Sequence, residues 1–280
     1  MKPKKLKKLR KQVRQSSAAP SYIKQLLKYR DTFSNFGEIV FLINNVIESD
    51  RLIARDLLPQ QLPLLELPEN IQDTIFEAIG KEHQMGDPVG DQLWDKYSRA
   101  LPKLDQLLRS YRDYLEDTYG MWAYISAPFI NDLSKYIDGK PTLEIMAGNG
   151  YISKGLRAHD QSVIATDSLE WQKENQTGRH LVTEVEKLDA LTALDKYQNQ
   201  VQYVIMSWSP DGVPIDQEVL ATMREKLPDA TLICIGEQNG ATNTSDFWKQ
   251  AKLVDPEATK TLNQHYSTFD LIHDQVYLIK

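Results

Sequence analysis

The sequence predicts an α/β fold in its C-terminal half, preceded by an α-helical N-terminal region. From residue 142 onward, short β-branched runs alternate with stretches of helical periodicity, which is typical of βαβ units around a parallel sheet. Between residues 21 and 138, apolar residues instead recur three and four positions apart. We therefore predict three segments: a flexible basic tail over residues 1–20, a helical domain over 21–138 and an α/β domain over 139–280.

Helical periodicity is clearest near the end of the N-terminal region. Between Leu101 and Leu115, apolar residues spaced three and four apart place one stripe on a helix that runs toward Tyr119. Gly120 is expected to end this helix, because glycine readily takes the left-handed conformation found at helix C-termini. The sequence thus predicts one continuous helix up to Gly120.

Strands and helices alternate after Gly139. The predicted strands cover residues 142–146, 162–166, 182–188, 202–206 and 231–235, with two more at about 261–268 and 275–279. The predicted helices cover residues 152–158, 169–174, 191–197, 217–226 and 244–253. Five strand–helix units followed by two closing strands predict a sheet of seven strands.

The composition excludes several classes of protein. With 41% hydrophobic and 26% charged residues, it is that of an ordinary globular protein. No segment reaches the roughly 18–20 apolar residues of a membrane span, and the basic N-terminus lacks the apolar stretch of a secretory signal. The one cysteine, Cys234, excludes an intrachain disulfide, and the five histidines show no metal-ligand spacing. We therefore expect a cytoplasmic protein with no bound metal and no membrane association.

Charge is distributed unevenly along the chain, whose net charge is −6. Residues 1–30 carry eleven lysines or arginines and no acidic residue, whereas the rest carries 22 basic and 39 acidic residues. Such a tail can bind nucleic acid or an acidic partner. It can equally be a solvated terminus, which we favour because the stretch lacks interleaved aromatic residues for stacking on bases.

The strongest local feature is the segment from Glu144 to Tyr151, in which an apolar strand ends in a glycine-containing turn and leads into a helix. Gly148 and Gly150 allow the backbone to approach a ligand closely and to take positive φ. In an open α/β sheet, ligands bind at the carboxyl ends of the strands, where this turn lies. The alternative is a tight strand-to-helix turn that binds nothing.

Two further acidic residues favour a ligand. Asp167 follows the second predicted strand, 23 residues beyond Glu144, and nucleotide-binding α/β domains place an acid that accepts ribose hydroxyls at about that distance. Asp189 follows the third predicted strand, where a carboxylate can accept a hydrogen bond from an adenine amino group. Either acid alone would be an ordinary turn or helix-cap residue.

This ordered set resembles the class I S-adenosylmethionine-dependent methyltransferases over about residues 119–280. The resemblance implies a Rossmann-like seven-stranded sheet with helices on both faces, and S-adenosylmethionine as the cofactor. Met146 departs from the pattern, since it stands where the family most often has its first glycine. The cofactor-binding residues implied by the resemblance are Glu144, Ala147, Gly148, Asn149, Gly150, Asp167, Ser168 (or Leu169), Asp189, Ala190 and Ser207.

The resemblance places the methyl acceptor beside the end of the fourth strand, at Ser207 to Pro210. Family members that methylate base or amide nitrogens often have Asn or Asp followed by Pro-Pro and an aromatic residue here, and this sequence has Ser207 and Trp208 instead. The candidate catalytic residues are Ser207, Trp208 and, after the fifth strand, Glu237 as a general base. The candidate acceptor-binding residues are Tyr119, Trp122, Tyr124, Trp208 and Pro210.

Purely structural roles remain open for several of these residues. Trp208 and the aromatic residues near Tyr119 can be core or interface side chains, and Glu237 can cap a helix. Methyl transfer from a sulfonium needs positioning rather than an obligatory base. The acceptor itself matches no signature.

Two other functions also remain open. A nicotinamide-dependent oxidoreductase would share the glycine turn and Asp167, but its motif needs a third glycine, which is absent after Gly150. A non-catalytic methyltransferase-fold module that binds RNA or protein through the basic tail is the second alternative.

Overall fold

The computed structural model describes residues 21–266 and 268–280. The predicted flexible tail over residues 1–20 lies outside the described residues. In the part that is described, six α-helices precede the sheet. They are α1 (Tyr22–Thr32), α2 (Gly37–Ile53), α3 (Ile71–Glu82), α4 (Pro88–Arg109), α5 (Tyr111–Tyr119) and α6 (Ala127–Ile137).

The helix predicted to run through to Gly120 is divided into α4 and α5. The break lies at Ser110, whose hydroxyl donates to the Leu107 carbonyl at 2.9 Å. Serine side chains compete in this way with the backbone bonds that continue a helix. Gly120 ends α5 in the left-handed conformation, with φ of 60°, as predicted.

Strands and helices then alternate along the rest of the chain. The strands are β1 (Thr142–Ile145), β2 (Val163–Asp167), β3 (Glu186–Lys187), β4 (Tyr203–Ser207), β5 (Thr231–Gly236) and β6 (Gln275–Ile279). The helices are α7 (Tyr151–Ala158), α8 (Ala190–Tyr197), α9 (Ile215–Lys226), α10 (Ser245–Gln250) and α11 (Pro256–Leu262), with a 3-10 helix at Glu170–Lys173.

The strands form one sheet in the order β3-β2-β1-β4-β5-β6. The first five strands are parallel, and β6 pairs antiparallel with β5. In the β1–β4 register Ile145 lies opposite Met206, so the loops that follow these two strands emerge side by side. The chain therefore has an α/β fold built on a mainly parallel sheet, and the carboxyl edge is where ligands bind in sheets of this kind.

The prediction of a strand over residues 261–268 is wrong, and the described residues hold six strands rather than seven. Residues up to Leu262 belong to α11, which begins with Pro256 in its first turn. The Asp255 side chain caps this helix by accepting from the Ala258 N–H at 3.0 Å. Proline and an N-terminal acid are strong start signals for a helix, and they outweigh the β-branched residues that follow.

Each face of the sheet packs against its own set of helices. Successive residues of β4 alternate, so that Ile205 joins one buried cluster and Met206 the other. The cluster containing Ile205 continues without interruption into the N-terminal helices, where it includes Leu26 and Tyr111. The division into a helical and an α/β domain stays a prediction, because the two segments share this core. No helix in residues 21–266 or 268–280 combines the length and apolar character needed to cross a bilayer.

Candidate active site

A cavity of about 680 Å³ lies at the carboxyl edge of the sheet. It is lined by the loops that follow the five parallel strands and by the segment between α5 and α6. This volume lies within the roughly 300–1,000 Å³ typical of small-molecule sites. Nine of the ten predicted cofactor residues line it: Glu144, Ala147, Gly148, Asn149, Asp167, Ser168, Asp189, Ala190 and Ser207.

Glu144, in β1, is fixed at the start of α7. Its carboxylate accepts hydrogen bonds from both the backbone N–H, at 2.9 Å, and the hydroxyl of Ser153. The side chain is 2% exposed. Burial raises the pKa of Glu144 to about 7, although the bonds from Ser153 favour the charged form. The glycine turn is thus held against α7 by a buried acid.

This raised pKa makes a prediction about stability. Between the ordinary value of 4.5 and about 7, the cofactor-free folded protein retains a proton that the unfolded chain releases, so the free energy of unfolding falls as pH rises. Glu144→Gln removes this ionisation. In urea denaturation, the free energy of unfolding of Glu144→Gln, relative to that of the unmodified protein, should rise by roughly 3 kcal/mol between pH 4.5 and pH 8. The exposed Glu218→Gln is the control, and parallel pH profiles for Glu144→Gln and the unmodified protein would contradict the prediction.

Asp167 ends β2 and points into the glycine turn. Its carboxylate accepts from the Gly148 N–H at 2.8 Å and from the Leu169 N–H at 2.7 Å. Burial raises the pKa of Asp167, while these two backbone bonds oppose the rise. One carboxylate therefore joins the turns after β1 and β2 and presents its remaining acceptor sites to the cavity.

Asp189 follows β3 and caps α8. It accepts from the backbone N–H of Thr192 at 3.0 Å and from the Thr192 hydroxyl at 2.7 Å. These bonds hold the pKa of Asp189 below its ordinary value. Asp189 therefore caps the helix, as an isolated acid at this position would, and it also lines the cavity beside Ala190.

The turn after β1 contains a non-glycine residue in the left-handed region. Met146 has a φ of 52°, at the position where the resemblance leads one to expect glycine. Two other residues that follow strands, Leu169 and Trp208, have φ values of 59° and 53°. Strained backbone of this kind is concentrated at functional sites. Met146 therefore takes the left-handed backbone conformation that glycine adopts readily.

Asn149 leaves one buried acceptor without a donor. Its amide nitrogen donates to the Tyr119 carbonyl at 2.7 Å and to the Gln176 carbonyl at 3.2 Å. Its Oδ1 atom is buried, makes no hydrogen bond and belongs to a residue that lines the cavity. Because buried polar atoms are nearly always paired, this oxygen indicates a ligand that donates a hydrogen bond.

Gly150 is the one predicted cofactor residue that does not line the cavity. It has a φ of 84° and begins α7, and a Cβ atom here would approach the Cγ2 atom of Thr183 to 2.8 Å. The glycine is required by the turn and by close packing against the segment before β3. Gly150 therefore has a structural role in the turn, and its contact with a cofactor stays a prediction.

The two tryptophans predicted to bind the acceptor line the cavity. Trp208 follows β4, and its indole N–H donates to Asp274 at 2.8 Å. Trp122 lies between α5 and α6, and its indole N–H donates to the Thr177 hydroxyl at 2.9 Å. The two ring centroids are 6.1 Å apart, and Pro210 also lines this part. Three of the five predicted acceptor residues are thus brought together.

The other predicted acceptor and base residues do not line the cavity. The Tyr119 hydroxyl donates to Asp50 at 2.6 Å, and the Tyr124 hydroxyl is buried against the Gln60 carbonyl at 2.7 Å. Glu237 accepts from the backbone N–H groups of Ala241 and His273 at 2.6 and 2.9 Å, so it joins its own loop to the segment before β6. Their sequence positions are near the site, but intramolecular hydrogen bonds turn these side chains elsewhere.

A buried ionic network lies behind Trp208 and was not predicted from the sequence. Arg112, on α5, donates to Asp270 at 2.6 and 3.0 Å and to Asp274 at 3.4 Å, and it is 4% exposed. Its guanidinium carbon lies 4.8 Å from the Trp208 ring centroid. Tyr266 donates to Asp274 at 2.6 Å. Arg112 and Asp270 are 158 residues apart, so no local pattern could have indicated the pair.

Metal ligands are not grouped in the described part of the chain. Over residues 21–266 and 268–280, no three or more His, Cys, Asp or Glu residues are placed to hold an ion. Cys234 is fully buried in β5.

No protein-family model matches the chain, and no curated protein matches it. Solved structures do. A magnesium protoporphyrin IX methyltransferase from Synechocystis PCC 6803 is 12% identical over 60% of this chain and 94% of its own, with a TM-score of 0.34. An N,N-8-amino-8-demethyl-D-riboflavin dimethyltransferase from Streptomyces davawensis is 11% identical over 87% of this chain and 69% of its own, with a TM-score of 0.33.

Identities and TM-scores this low support no conclusion about activity, so the candidate site is described by the geometry of this chain. The strand order β3-β2-β1-β4-β5-β6, the antiparallel edge strand and the cavity at the carboxyl ends are observed directly.

Proposed function

We propose that the protein is an S-adenosylmethionine-dependent methyltransferase. One observation carries the proposal. Glu144, Asp167 and Asp189, which come from three adjacent parallel strands, line one cavity together with the glycine turn. Acids in or directly after these strands form a set of hydrogen-bond acceptors that would serve, in turn, the methionine, ribose and adenine parts of this cofactor.

The residues present fit such a cofactor. The unpaired Oδ1 atom of Asn149 is an acceptor suited to the ammonium group of the methionine part. Gly148 has a φ of 57°, and a Cβ atom there would lie 3.2 Å from the Cγ2 atom of Thr177, so glycine suits the turn at this point. A carboxylate such as Asp167, already oriented by two backbone N–H groups, suits a pair of ribose hydroxyls.

The start of α7 favours this cofactor over a dinucleotide. Dinucleotides place their pyrophosphate at the N-terminus of the helix that follows the glycine turn. Here the Ser153 N–H in that first turn is occupied by the buried carboxylate of Glu144. A second anion at this place would be opposed by that acid, so the alternative of a nicotinamide-dependent oxidoreductase is disfavoured.

When bound, S-adenosylmethionine supplies a methyl group already activated by the positive sulfur. The residues of this chain would then position the two reactants, since Ser207 ends β4 and Trp208 follows it, directly beside the turn after β1. Proximity and orientation of this kind can supply much of the rate acceleration. Glu237 has no part in this arrangement, because its carboxylate is bonded to the backbone of Ala241 and His273 and does not line the cavity.

Calorimetric titration tests the proposal. S-adenosylhomocysteine should bind the purified full chain with one site and a dissociation constant in the micromolar range or below, and NADH should not compete. Saturable NADH binding without S-adenosylhomocysteine binding would overturn the proposal and favour the oxidoreductase. Absence of binding by both would favour a non-catalytic module.

A further inference from the structure

We propose that the methyl acceptor is a small planar aromatic molecule that carries no negative charge. This inference rests on the proposed function and concerns the part of the same cavity that faces the transferred methyl group. Three observations carry it: the two indoles, the charge of the lining and one unpaired hydroxyl group.

The indoles of Trp122 and Trp208 provide the surface for an aromatic ring. Both are only partly buried and both line the cavity, with an angle of 43° between their planes. Each indole N–H is bonded inside the protein, to Thr177 and Asp274, so the rings are fixed in orientation. Rigid aromatic faces of this kind bind planar ligands by stacking and gain little from flexible aliphatic ones.

The charge of the lining selects against anions. Six acidic residues line the cavity, and the described lining contains no lysine, arginine or histidine. They are Glu144, Asp167, Glu170, Glu174, Asp189 and Asp211. Arg112 does not offset them, because it is buried behind Trp208 and is paired with both Asp270 and Asp274. An anionic acceptor would enter a field of like charge, whereas a neutral or cationic one would not.

Ser209 supplies a polar contact on the same side. Its backbone carbonyl accepts from the Asn243 N–H at 2.9 Å, which fixes the residue in place. Its hydroxyl is buried and has no hydrogen-bond partner, and the residue, 1% exposed, lines the cavity. A buried hydroxyl without a partner indicates a ligand atom that completes the pair, such as a ring nitrogen or hydroxyl of the acceptor.

Three probes of one shape and different charge test the inference. Quinoline is neutral near pH 7.5, 1-methylquinolinium is cationic and quinoline-3-carboxylate is anionic. In calorimetric titrations of the full chain saturated with S-adenosylhomocysteine, the neutral or the cationic probe should bind at least tenfold more tightly than the carboxylate. Equal or tighter binding of the carboxylate would overturn the inference.

Variants assign the binding to the proposed surface. Trp208→Ala should weaken the preferred probe at least tenfold while S-adenosylhomocysteine still binds, and Trp94→Ala, outside the cavity lining, is the matched control. If Trp208→Ala does not fold, Trp122→Ala answers the same question. Asp211→Lys, at an exposed lining residue, should raise the affinity for the carboxylate relative to the cation. Probe binding that is indifferent to both tryptophans would contradict the inference.

The same titrations separate failure of the inference from failure of the proposed function. If S-adenosylhomocysteine does not bind, the proposed function fails whatever the probes do. If it binds and the anionic probe is preferred, the cofactor assignment stands and only the acceptor class is wrong.

Discussion

Arg112→Met should lower the free energy of unfolding by about 3–5 kcal/mol, the range observed when one partner of a buried ion pair is removed. The substitution leaves Asp270 and Asp274 without their common cation, and Asp274 is 1% exposed. Burial already raises the pKa of Asp274, and Arg112 opposes that rise. The expected result is a clear shift of the urea midpoint, followed by tryptophan fluorescence because Trp208 contacts this network.

Arg109→Met is the matched control for this prediction. Arg109 makes two similar ion pairs, with Asp105 and Glu66, but its side chain is 36% exposed. Exposed pairs contribute about 1 kcal/mol or less, because water competes for both charges. Combining Arg112→Met with Asp270→Asn and Asp274→Asn should recover part of the loss. Equal destabilisation by Arg109→Met and Arg112→Met would show that burial of the network is not what makes it important.

Asp167→Asn should raise the dissociation constant for S-adenosylhomocysteine by roughly 10- to 100-fold. Hydrogen bonds to a charged partner contribute roughly 1.5–3 kcal/mol, and 1.4 kcal/mol corresponds to a factor of ten. The amide offers one acceptor oxygen and no negative charge to the ribose hydroxyls, and it disturbs one of the two bonds from Gly148 and Leu169. Calorimetric titration measures the change.

Asp160→Asn is the control for the cofactor prediction. Asp160 is an exposed acid in the turn that precedes β2, at the opposite end of the strand from Asp167. Its substitution should leave the dissociation constant unchanged within experimental error. A change below threefold for Asp167→Asn, in a protein with unaltered thermal stability, would remove this residue from the proposed cofactor site.

The residues predicted to bind the cofactor come together in one cavity because they lie in or after neighbouring strands. Glu144 lies in the first predicted strand, Asp167 and Asp189 directly follow the next two, and the carboxyl ends of parallel strands meet at one edge of a sheet. The exception is Gly150, which shapes the turn but does not line the cavity, because a Cβ atom there would lie against Thr183 and Val185. Local sequence signals therefore suffice where the sheet itself does the positioning.

The acceptor side was only partly predictable. Trp122 and Trp208 line the cavity, whereas Tyr119, Tyr124 and Glu237 are turned away by hydrogen bonds to distant or loop atoms. Their sequence positions gave no information about these partners. Ser209 carried no motif, and only its burial without a hydrogen-bond partner distinguishes it.

By itself, the sequence determined the alternation of strands and helices, the glycine turn and the acids in or directly after three strands, because short-range periodicity and turn chemistry encode these features. The tertiary structure decided what depends on contacts between remote segments. It joined Arg112 to Asp270 across 158 residues, fixed Trp208 against Asp274 and continued one apolar core from the N-terminal helices into the sheet. Such contacts depend on packing and burial, which no stretch of sequence specifies alone.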